Sequence, residues 1–198
     1  MKDLILIGGG GHSLSCIDVI EAGHDYKIVG LLDRPEKVGQ KILTYPILGT
    51  DEDIASWVAK KVYFLITIGQ IKSAESRIQV WNELKKHKAL MATVISNSSL
   101  VSPHASVAEG SIVMHRAVVN AGAHIGKACI LNSCSLVEHG AQVMDFCHVS
   151  TGALVNGDVQ IRPLSFVGSG AIVEEGAIVP ERTLIPAGSF FRRKMGLI

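Results

Sequence analysis

The sequence has few aromatic residues and no excess of charge of either sign. Aromatic residues make up 5% of the 198 residues, and the formal net charge is +1. Proteins that bind single-stranded nucleic acid typically combine stacking aromatic rings with a basic groove. Proteins that bind duplex DNA or a membrane surface carry basic patches. The composition therefore argues against a nucleic-acid or membrane partner.

The sequence also lacks long apolar segments and paired cysteine motifs. No stretch reaches the roughly 18 consecutive apolar residues of a transmembrane helix. The apolar run Leu4–Ile7 is too short for the core of a signal peptide. The four cysteines include no CxxC pair. We therefore expect a cytoplasmic protein.

From residue 101 onward, an aliphatic residue recurs at every sixth position. The series has fifteen members without a gap: Val101, Val107, Val113, Val119, Ile125, Leu131, Val137, Val143, Val149, Val155, Ile161, Val167, Val173, Val179 and Ile185. A small residue follows four positions after each member, and Val159 is the exception. Hexapeptide repeats are typical of a parallel β-helix. The pattern predicts a prism with three hexads in each coil, in which the aliphatic side chain points inward and the small residue turns the corner.

Residues 1–95 follow a different pattern, in which predicted strands and helices alternate. We predict strands at residues 4–7, 27–32 and 62–68, and helices at residues 13–22, 51–60 and 73–87. Ser13 and Asp51 are the expected N-caps of the first two helices. This alternation indicates a parallel α/β sheet that resembles one mononucleotide-binding half of a Rossmann fold. The predicted domains are a Rossmann-like α/β domain at residues 1–95 and an all-β domain at residues 96–198.

Four consecutive glycines follow the first predicted strand. Gly8 to Gly11 precede His12 and Ser13, and Asp33 ends the second predicted strand. Backbone amides in such a loop can approach a phosphate at a helix N-terminus. A carboxylate at the end of the second strand can hold ribose hydroxyls. Because Ser13 departs from the GxGxxG pattern, a tight turn that only packs the helix on the strand is the alternative to nucleotide binding.

Five histidines lie in the repeats: His104, His115, His124, His139 and His148. A zinc site of the kind that some trimeric β-helix enzymes hold between subunits needs an H-x4-H pair. The successive spacings here are 11, 9, 15 and 9 residues, so three ligands cannot readily converge. We predict no metal site.

His139 is a candidate general base, because it follows an inward-pointing valine and its side chain is expected to face outward. The equivalent residues one coil earlier and one coil later are Ala121 and Gly157, so an open slot is expected beside the imidazole. Asn120 is a candidate hydrogen-bond partner of the ring, and the Gly157 amide could stabilise an oxyanion. An imidazole that titrates near pH ~6.5 suits a general base, although most surface histidines on a repeat face are inert.

The chain as a whole resembles the sugar O- and N-acyltransferases of the NeuD/PglD-like sialic acid O-acetyltransferase family, which includes bacillosamine-pathway and perosamine N-acetyltransferases. The resemblance lies in the segments GGGGHS (8–13), LD (32–33), IG (68–69), ILNSCSLVEHG (130–140), DFCHVSTGALVNG (145–157) and FVGSGA (166–171). It implies a left-handed β-helix, a homotrimer, and acetyl-CoA as the cosubstrate.

The resemblance also implies roles for individual residues. His139 is the implied catalytic base, Asn120 lies next to it, and His148, Gly157 and Ser169 are implied to contact acetyl-CoA between two prisms. A nucleotide-sugar is expected at a set of amino-terminal positions: Gly10, Gly11, His12, Asp33, Arg34, Gly69 and Lys72.

Gly140 departs from the family pattern, because in many members that act on amino sugars an acidic residue follows the catalytic histidine. Aspartate at residue 140 is therefore expected to make His139 more basic. The Glu-His-Gly triplet resembles the motif of enzymes that O-acetylate sialic acids. A histidine at the position of His12, by contrast, is similar to the pattern of the enzymes that act on nucleotide-sugars. We expect N-acetylation of a nucleotide-linked 4-amino-4,6-dideoxy sugar, with O-acetylation of a sialic or related acid as the alternative. A non-catalytic nucleotide-sensing trimer is the alternative of a different class.

Overall fold

The structure is a computed structural model that describes residues 1–192, so residues 193–198 at the end of the predicted second domain lie outside the described residues. The chain divides into two compact units. The first comprises residues 1–70 and 74–94, and the second comprises residues 71–73 and the chain from residue 95 onward. The predicted fold classes are confirmed: the first unit is α/β, and the second is a left-handed parallel β-helix.

The first unit is built on a six-stranded sheet. Its strands are β1 (Lys2–Ile7), β2 (Tyr26–Leu32), β3 (Lys41–Ile42), β4 (Tyr45–Gly49), β5 (Tyr63–Ile66) and β6 (Leu90–Met91). They lie in the order β3-β4-β2-β1-β5-β6, and only the β3–β4 pairing is antiparallel. The helices are α1 (Gly11–Glu21), α2 (Ile54–Ala59) and α3 (Glu75–Lys86), with 3-10 turns at Pro35–Lys37 and Asp51–Asp53. Within residues 1–192, no helix is long and apolar enough to cross a membrane.

The two predicted N-caps of this unit are wrong. Helix α1 begins at Gly11 with Gly10 as its N-cap, and the hydroxyl of the buried Ser13 donates back to the Gly10 carbonyl at 2.6 Å. The second helical segment is capped by Thr50 instead of Asp51, in a capping box that pairs Thr50 with Asp53. The sequence does not predict β3, β4 or β6, because these short strands carry little of the alternation that marks a strand.

The second unit is a prism whose three faces are stacks of two-residue strands. Face 1 contains Ile112–Val113, Ile130–Leu131, His148–Val149, Phe166–Val167 and Leu184–Ile185, and the short strand Val94–Ile95 precedes the repeats. Face 2 contains Leu100–Val101, Val118–Val119, Leu136–Val137, Leu154–Val155, Ile172–Val173 and Phe190–Phe191. Face 3 contains Ser106–Val107, His124–Ile125, Gln142–Val143, Gln160–Ile161 and Ile178–Val179. Residues paired on adjacent strands are three hexads apart, as Leu136 and Leu154 are.

The predicted inward column fills the prism. Each of its members from Val113 to Val179 is 0% exposed. The small corner residues Cys129 and Cys147 lie in the same core, one coil apart. Burial raises the pKa of the Cys147 thiol well above its ordinary value, and the neighbouring Cys129 raises it further. Both thiols are therefore part of the packing of the core.

Candidate active site

The predicted catalytic residues lie where the chain turns from face 2 to face 3. Residues 138–140 make this turn in one coil and residues 156–158 make it in the next. The amide of Asp158 donates to the carbonyl of His139 at 3.0 Å, so the two turns are joined directly. We call these two stacked turns the histidine corner. It places Gly157 next to His139.

The imidazole of His139 lies against Gly157. A Cβ atom built on Gly157 would stand 2.6 Å from Cε1 and 2.9 Å from Nε2 of the ring. Real Cβ atoms do not approach other atoms this closely, so any side chain at residue 157 would displace the imidazole. This corrects the expected open slot, because the ring leans onto the next coil and occupies that space itself.

The space beside the other glycine of the histidine corner, Gly140, is filled by a side chain from the next coil. A Cβ atom built on Gly140 would collide with Oδ1 of Asp158. The φ angle of Gly140 is +66°, a value that glycine adopts without strain. Gly140→Asp alone is therefore not the clean change that the sequence suggests, since Asp158 already fills the space beside residue 140.

Asn120 has a different partner from the one expected. Its Nδ2 donates to Oε2 of Glu138 at 2.7 Å, and the same oxygen accepts the backbone amide of His139 at 3.2 Å. Asn120 therefore supports the turn that carries His139 through its bond to Glu138. The sequence predicts no role for Glu138, although residues 120, 138, 156 and 174 form a column that reads Asn, Glu, Asn, Glu.

The backbone amide of Gly157 remains available as a donor. It makes no hydrogen bond to residues 1–192, whereas the amides of Asn156 and Asp158 on either side are bonded to carbonyls of neighbouring coils. A preorganised amide beside the base can stabilise an oxyanion that develops during acyl transfer. The histidine corner thus combines an exposed imidazole with an unused donor.

The predicted cofactor residues lie beyond the other edge of face 2: His148 is an outward residue of face 1, and Ser169 lies in a turn from face 1 to face 2. His148 is 6% exposed, and its ring packs edge-to-face with Phe166 at 5.1 Å between centroids. The Nδ2 atom of Asn132, which the sequence analysis did not single out, lies 3.5 Å from Nε2 of His148. The exposed Ser169 shares a hydrogen bond of 2.9 Å with Ser150. We call this edge the serine corner.

Within one chain, face 2 separates the histidine corner from the serine corner. The structure therefore brings His139 together with Gly157, but it does not bring either of them to His148 or Ser169 in the same copy. The outward residues of face 2 are all apolar: Leu100, Val118, Leu136, Leu154, Ile172 and Phe190. Those of face 3 are mostly polar: Ser106, His124, Gln142, Gln160 and Ile178.

In the first unit, Asp33 holds the glycine loop in place. Its Oδ2 accepts the amide of Gly9 at 2.6 Å and Nζ of Lys37 at 2.9 Å, and its Oδ1 accepts the amide of Arg34 at 2.8 Å. Partial burial alone would raise the pKa of Asp33, but the bonds from Arg34, Lys37 and Gly9 outweigh burial and lower it. The carboxylate expected to face ribose hydroxyls is thus engaged by donors of the chain itself, and Lys37 is a charged neighbour that the sequence analysis missed.

Gly10 and Gly11 face open space at the start of helix α1. Nothing lies within 4 Å of a Cβ atom built on either residue. His12, the next residue, packs over Gly69, since a Cβ atom built on Gly69 would stand 3.3 Å from Cβ of His12. The carboxyl ends of β1 and β5 therefore bring Gly10, Gly11, His12 and Gly69 together.

The remaining two predicted contacts of a nucleotide-sugar, Arg34 and Lys72, are exposed. Arg34 follows Asp33 directly and forms a 3.7 Å ion pair with Glu36. Lys72 lies in the segment Ile71–Ser73, which belongs to the second unit.

A buried arginine, which the sequence analysis also missed, supports the end of β5. Arg77 of α3 is 1% exposed, and its Nη1 donates to the carbonyl of Ile68 at 2.7 Å. Thr67 donates from Oγ1 to the carbonyl of Gly8 at 2.6 Å. These bonds fix the two loops that carry the glycines. Among residues 1–192, no three His, Cys, Asp or Glu side chains are grouped so that they could hold a metal ion.

Comparison with known proteins adds to this geometry. The family model described as the PglD N-terminal domain matches residues 3–84. This segment contains the glycine loop, Asp33 and Gly69. A comparison with curated proteins finds no match.

Solved structures share the fold over nearly the whole chain. The acetyltransferase domain of PglB from Neisseria gonorrhoeae FA1090 is 24% identical, with a TM-score of 0.89, over 100% of this chain and 94% of that one. The same domain in complex with acetyl coenzyme A is 23% identical, with a TM-score of 0.81, over 96% and 95% of the two chains. A mutant of perosamine N-acetyltransferase from Caulobacter crescentus, in complex with CoA and GDP-perosamine, is 22% identical, with a TM-score of 0.68, over 96% and 93%.

Proposed function

We propose that the protein is an acetyl-CoA-dependent N-acetyltransferase of a nucleotide-linked 4-amino-4,6-dideoxy sugar in bacterial surface glycan biosynthesis. The observation that carries the proposal is the exposed imidazole of His139 seated on Gly157, next to an unused backbone amide. Two findings support it: residues 3–84 match the family model of the PglD N-terminal domain, and chains of the same fold bind acetyl coenzyme A, or CoA with GDP-perosamine.

The proposed reaction is direct acetyl transfer. The acceptor amine attacks the thioester carbonyl of acetyl-CoA and forms the C–N bond, while the imidazole of His139 takes a proton from the nitrogen. The Gly157 amide donates to the oxyanion of the tetrahedral intermediate. The carbonyl re-forms as the C–S bond breaks, and the CoA thiolate takes the proton from the imidazolium. A general base of this kind contributes about 10²–10⁴-fold, and positioning supplies much of the rest.

We further propose that the working enzyme is a homotrimer. The apolar outward column of face 2 supports this assembly, because a continuous apolar patch is typical of an interaction surface. Packing at face 2 would place the histidine corner of one copy beside the serine corner of the next. The groove between them would hold acetyl-CoA against His148, Gly157 and Ser169, with His139 and Asn120 on the acceptor side.

The nucleotide of the acceptor is proposed to bind the glycine loop. The open positions beside Gly10 and Gly11 allow a phosphate to approach the amides at the start of α1. His12, Asp33, Arg34, Gly69 and Lys72 are the proposed further contacts, with Asp33 acting mainly by holding the loop. All four cysteines are free thiols, which supports a reaction in the reducing cytoplasm.

The charge at the histidine corner supports an amine acceptor over a sugar acid. Glu138 precedes His139 in the chain, and Asp158 lies in the next coil, where its amide donates to the carbonyl of His139. The fifteen residues at this position of the five coils (102–104, 120–122, 138–140, 156–158 and 174–176) include no lysine or arginine. Two carboxylates without a cationic partner disfavour a carboxylate on the reacting sugar and favour an amine there.

The proposal is tested with purified protein, acetyl-CoA and a panel of nucleotide amino sugars and free sialic acids, with CoA release as the readout. We expect turnover with an amino sugar and a loss of at least about 10² in kcat/KM for His139→Ala. The matched control is His124→Ala, which removes an exposed face 3 histidine bonded to Ser106 and should leave the rate unchanged. A His139→Ala enzyme that keeps more than about a tenth of the rate would rule out a general base. Stabilisation by nucleotide without a response to acetyl-CoA would favour the sensing trimer.

A further inference from the structure

The histidine corner holds a carboxylate that the proposed reaction does not use. We propose that Asp158 is a positioning residue whose negative charge stabilises the protonated imidazole of His139, and that residue 140 is glycine so that this carboxylate fits beside the ring. This assignment rests on the proposed function, because it gives Asp158 a part in the proton transfer by His139.

The geometry of the two stacked turns carries the proposal. The imidazole of His139 extends from its own coil onto Gly157 of the next coil, and the carboxylate of Asp158 extends back onto Gly140. Residues 139 and 140 are adjacent, and so are residues 157 and 158, while the amide of Asp158 donates to the carbonyl of His139 at 3.0 Å. The two side chains therefore project in opposite directions across the same pair of turns, and each fills the space that a glycine on the other coil leaves.

The two carboxylates next to His139 differ in what engages them. Oε2 of Glu138 accepts both Asn120 and the amide of His139, so this side chain is tied to the backbone of the turn. The carboxylate of Asp158 makes no hydrogen bond to residues 1–192. Glu175, one coil beyond Gly157, is the other exposed acid at this corner. Asp158 is unbonded and follows Gly157, the residue against which the ring packs, so we infer that its charge is the one that acts on the imidazole through space.

The backbone at residue 158 permits a clean test of that charge. Asp158 has a φ angle of +56°, in the left-handed region that asparagine and aspartate adopt more readily than other residues with side chains. Asp158→Asn therefore keeps the shape and the turn while it removes the charge. Asparagine also keeps the contact with Gly140.

The decisive experiment is a proton NMR titration of the His139 ring, assigned by loss of its signal in His139→Gln. We expect Asp158→Asn to lower the titration midpoint by about 0.2–0.7 pH unit, the size typical of an exposed charge pair. The acidic limb of the kcat/KM profile should move by the same amount. The matched control is Glu181→Gln, which removes an exposed carboxylate at another corner, paired with Arg182, and should move neither.

A double variant then returns the charge from the other coil. Gly140→Asp with Asp158→Gly exchanges the two residues, so the carboxylate projects from residue 140 into the space that Asp158 vacates. We expect the midpoint to rise back toward the wild-type value, while Gly140→Asp alone lowers Tm because two side chains compete for one space. An unmoved midpoint in Asp158→Asn would overturn the proposal even if the enzyme acetylates amino sugars. If the midpoint shifts but the protein acetylates none of the acceptors, Asp158 still acts on the charge of His139. The proposed function would then be wrong, and the effect of Asp158 on the ring would stand.

Discussion

The glycines of the amino-terminal loop and those of the histidine corner differ in what occupies the space beside them. At Gly10 and Gly11, nothing lies within 4 Å of the place where a side chain would begin, whereas at Gly157 and Gly140 a side chain from the adjacent coil is already there. Open space at a helix start leaves backbone amides accessible to a ligand. At the histidine corner, the space beside a glycine holds a side chain of the protein itself. Glycine therefore leaves room for a ligand in one unit and room for a side chain of the protein itself in the other.

The aspartates of the two regions show the same division of roles. Asp33 accepts three hydrogen bonds from the chain and holds a loop together. Asp158 makes none to residues 1–192 and acts by charge. The role of a carboxylate near a predicted site thus depends on which groups donate hydrogen bonds to it. The sequence does not show those groups.

The largest expected effect comes from breaking the core that holds the histidine corner. Val143→Asp puts an unpaired carboxylate on a residue that is 0% exposed, at a cost of several kcal/mol, roughly 2–7. We expect loss of folded protein, measured by thermal unfolding and by the yield in size-exclusion chromatography. Gln142→Asp places the same charge on the exposed neighbour in the same strand and should melt normally. Normal melting of Val143→Asp would refute the inward register.

The contrast between filled and open glycines predicts a split in kinetic parameters. Gly157→Ala displaces the imidazole, so we expect kcat to fall by about 10–10²-fold, because misplacing a catalytic group by about 1 Å costs that much. Gly10→Ala meets no atom within 4 Å, so we expect kcat to be unchanged and KM for the nucleotide-linked acceptor to rise. Steady-state kinetics of both variants with one acceptor separates the two. The comparison fails if Gly10→Ala lowers kcat as much as Gly157→Ala does.

The smallest effect is a pH-dependent change in the stability of the first unit. The pKa of Asp33 is lowered in the folded protein, so its stabilisation is present above its ordinary value and is lost as the pH falls through the lowered one. We expect Asp33→Asn to lower Tm at neutral pH by about 2–4 °C, with the difference shrinking below pH ~4. Melting curves across this range provide the measurement, and Asp3→Asn, an exposed aspartate of the same unit, should show no such dependence. A constant difference at every pH would argue against an ionised Asp33.

The repeats were more predictable from sequence than the site they carry. A column such as Val113 to Val179 is visible because burial imposes the same demand every six residues. The pairing of residues 18 apart follows from it, so the stacking of Gly157 on His139 was predicted. The direction of the ring was not, because it depends on the rotamer of His139. The partner of Asn120 was missed for a similar reason, since Glu138 competes for the same amide group.

The first unit shows where sequence reasoning fails. The central strands β1 and β2 were predicted from their apolar runs, but the caps were misplaced at Ser13 and Asp51. A serine inside the first turn can donate back to the N-cap carbonyl, as Ser13 does, so a capping residue type alone does not locate a helix start. The sequence does not predict the burial of Arg77, because that burial depends on its hydrogen-bond acceptors. These are the carbonyls at the end of β5, which only the fold brings next to the arginine.

The coil length of the prism limits how this protein can accept insertions and deletions. Residues that meet across coils, such as Leu136 and Leu154, are separated by three hexads. One hexad inserted between His139 and Gly157 would preserve every inward aliphatic residue, yet it would carry Gly157 and Asp158 round to a different face. The imidazole would then lose its packing against Gly157 and the nearby carboxylate of Asp158, while the core stayed intact. Length changes between these two residues can therefore keep the site only in whole coils, and only if the coil that arrives over His139 brings a glycine with it.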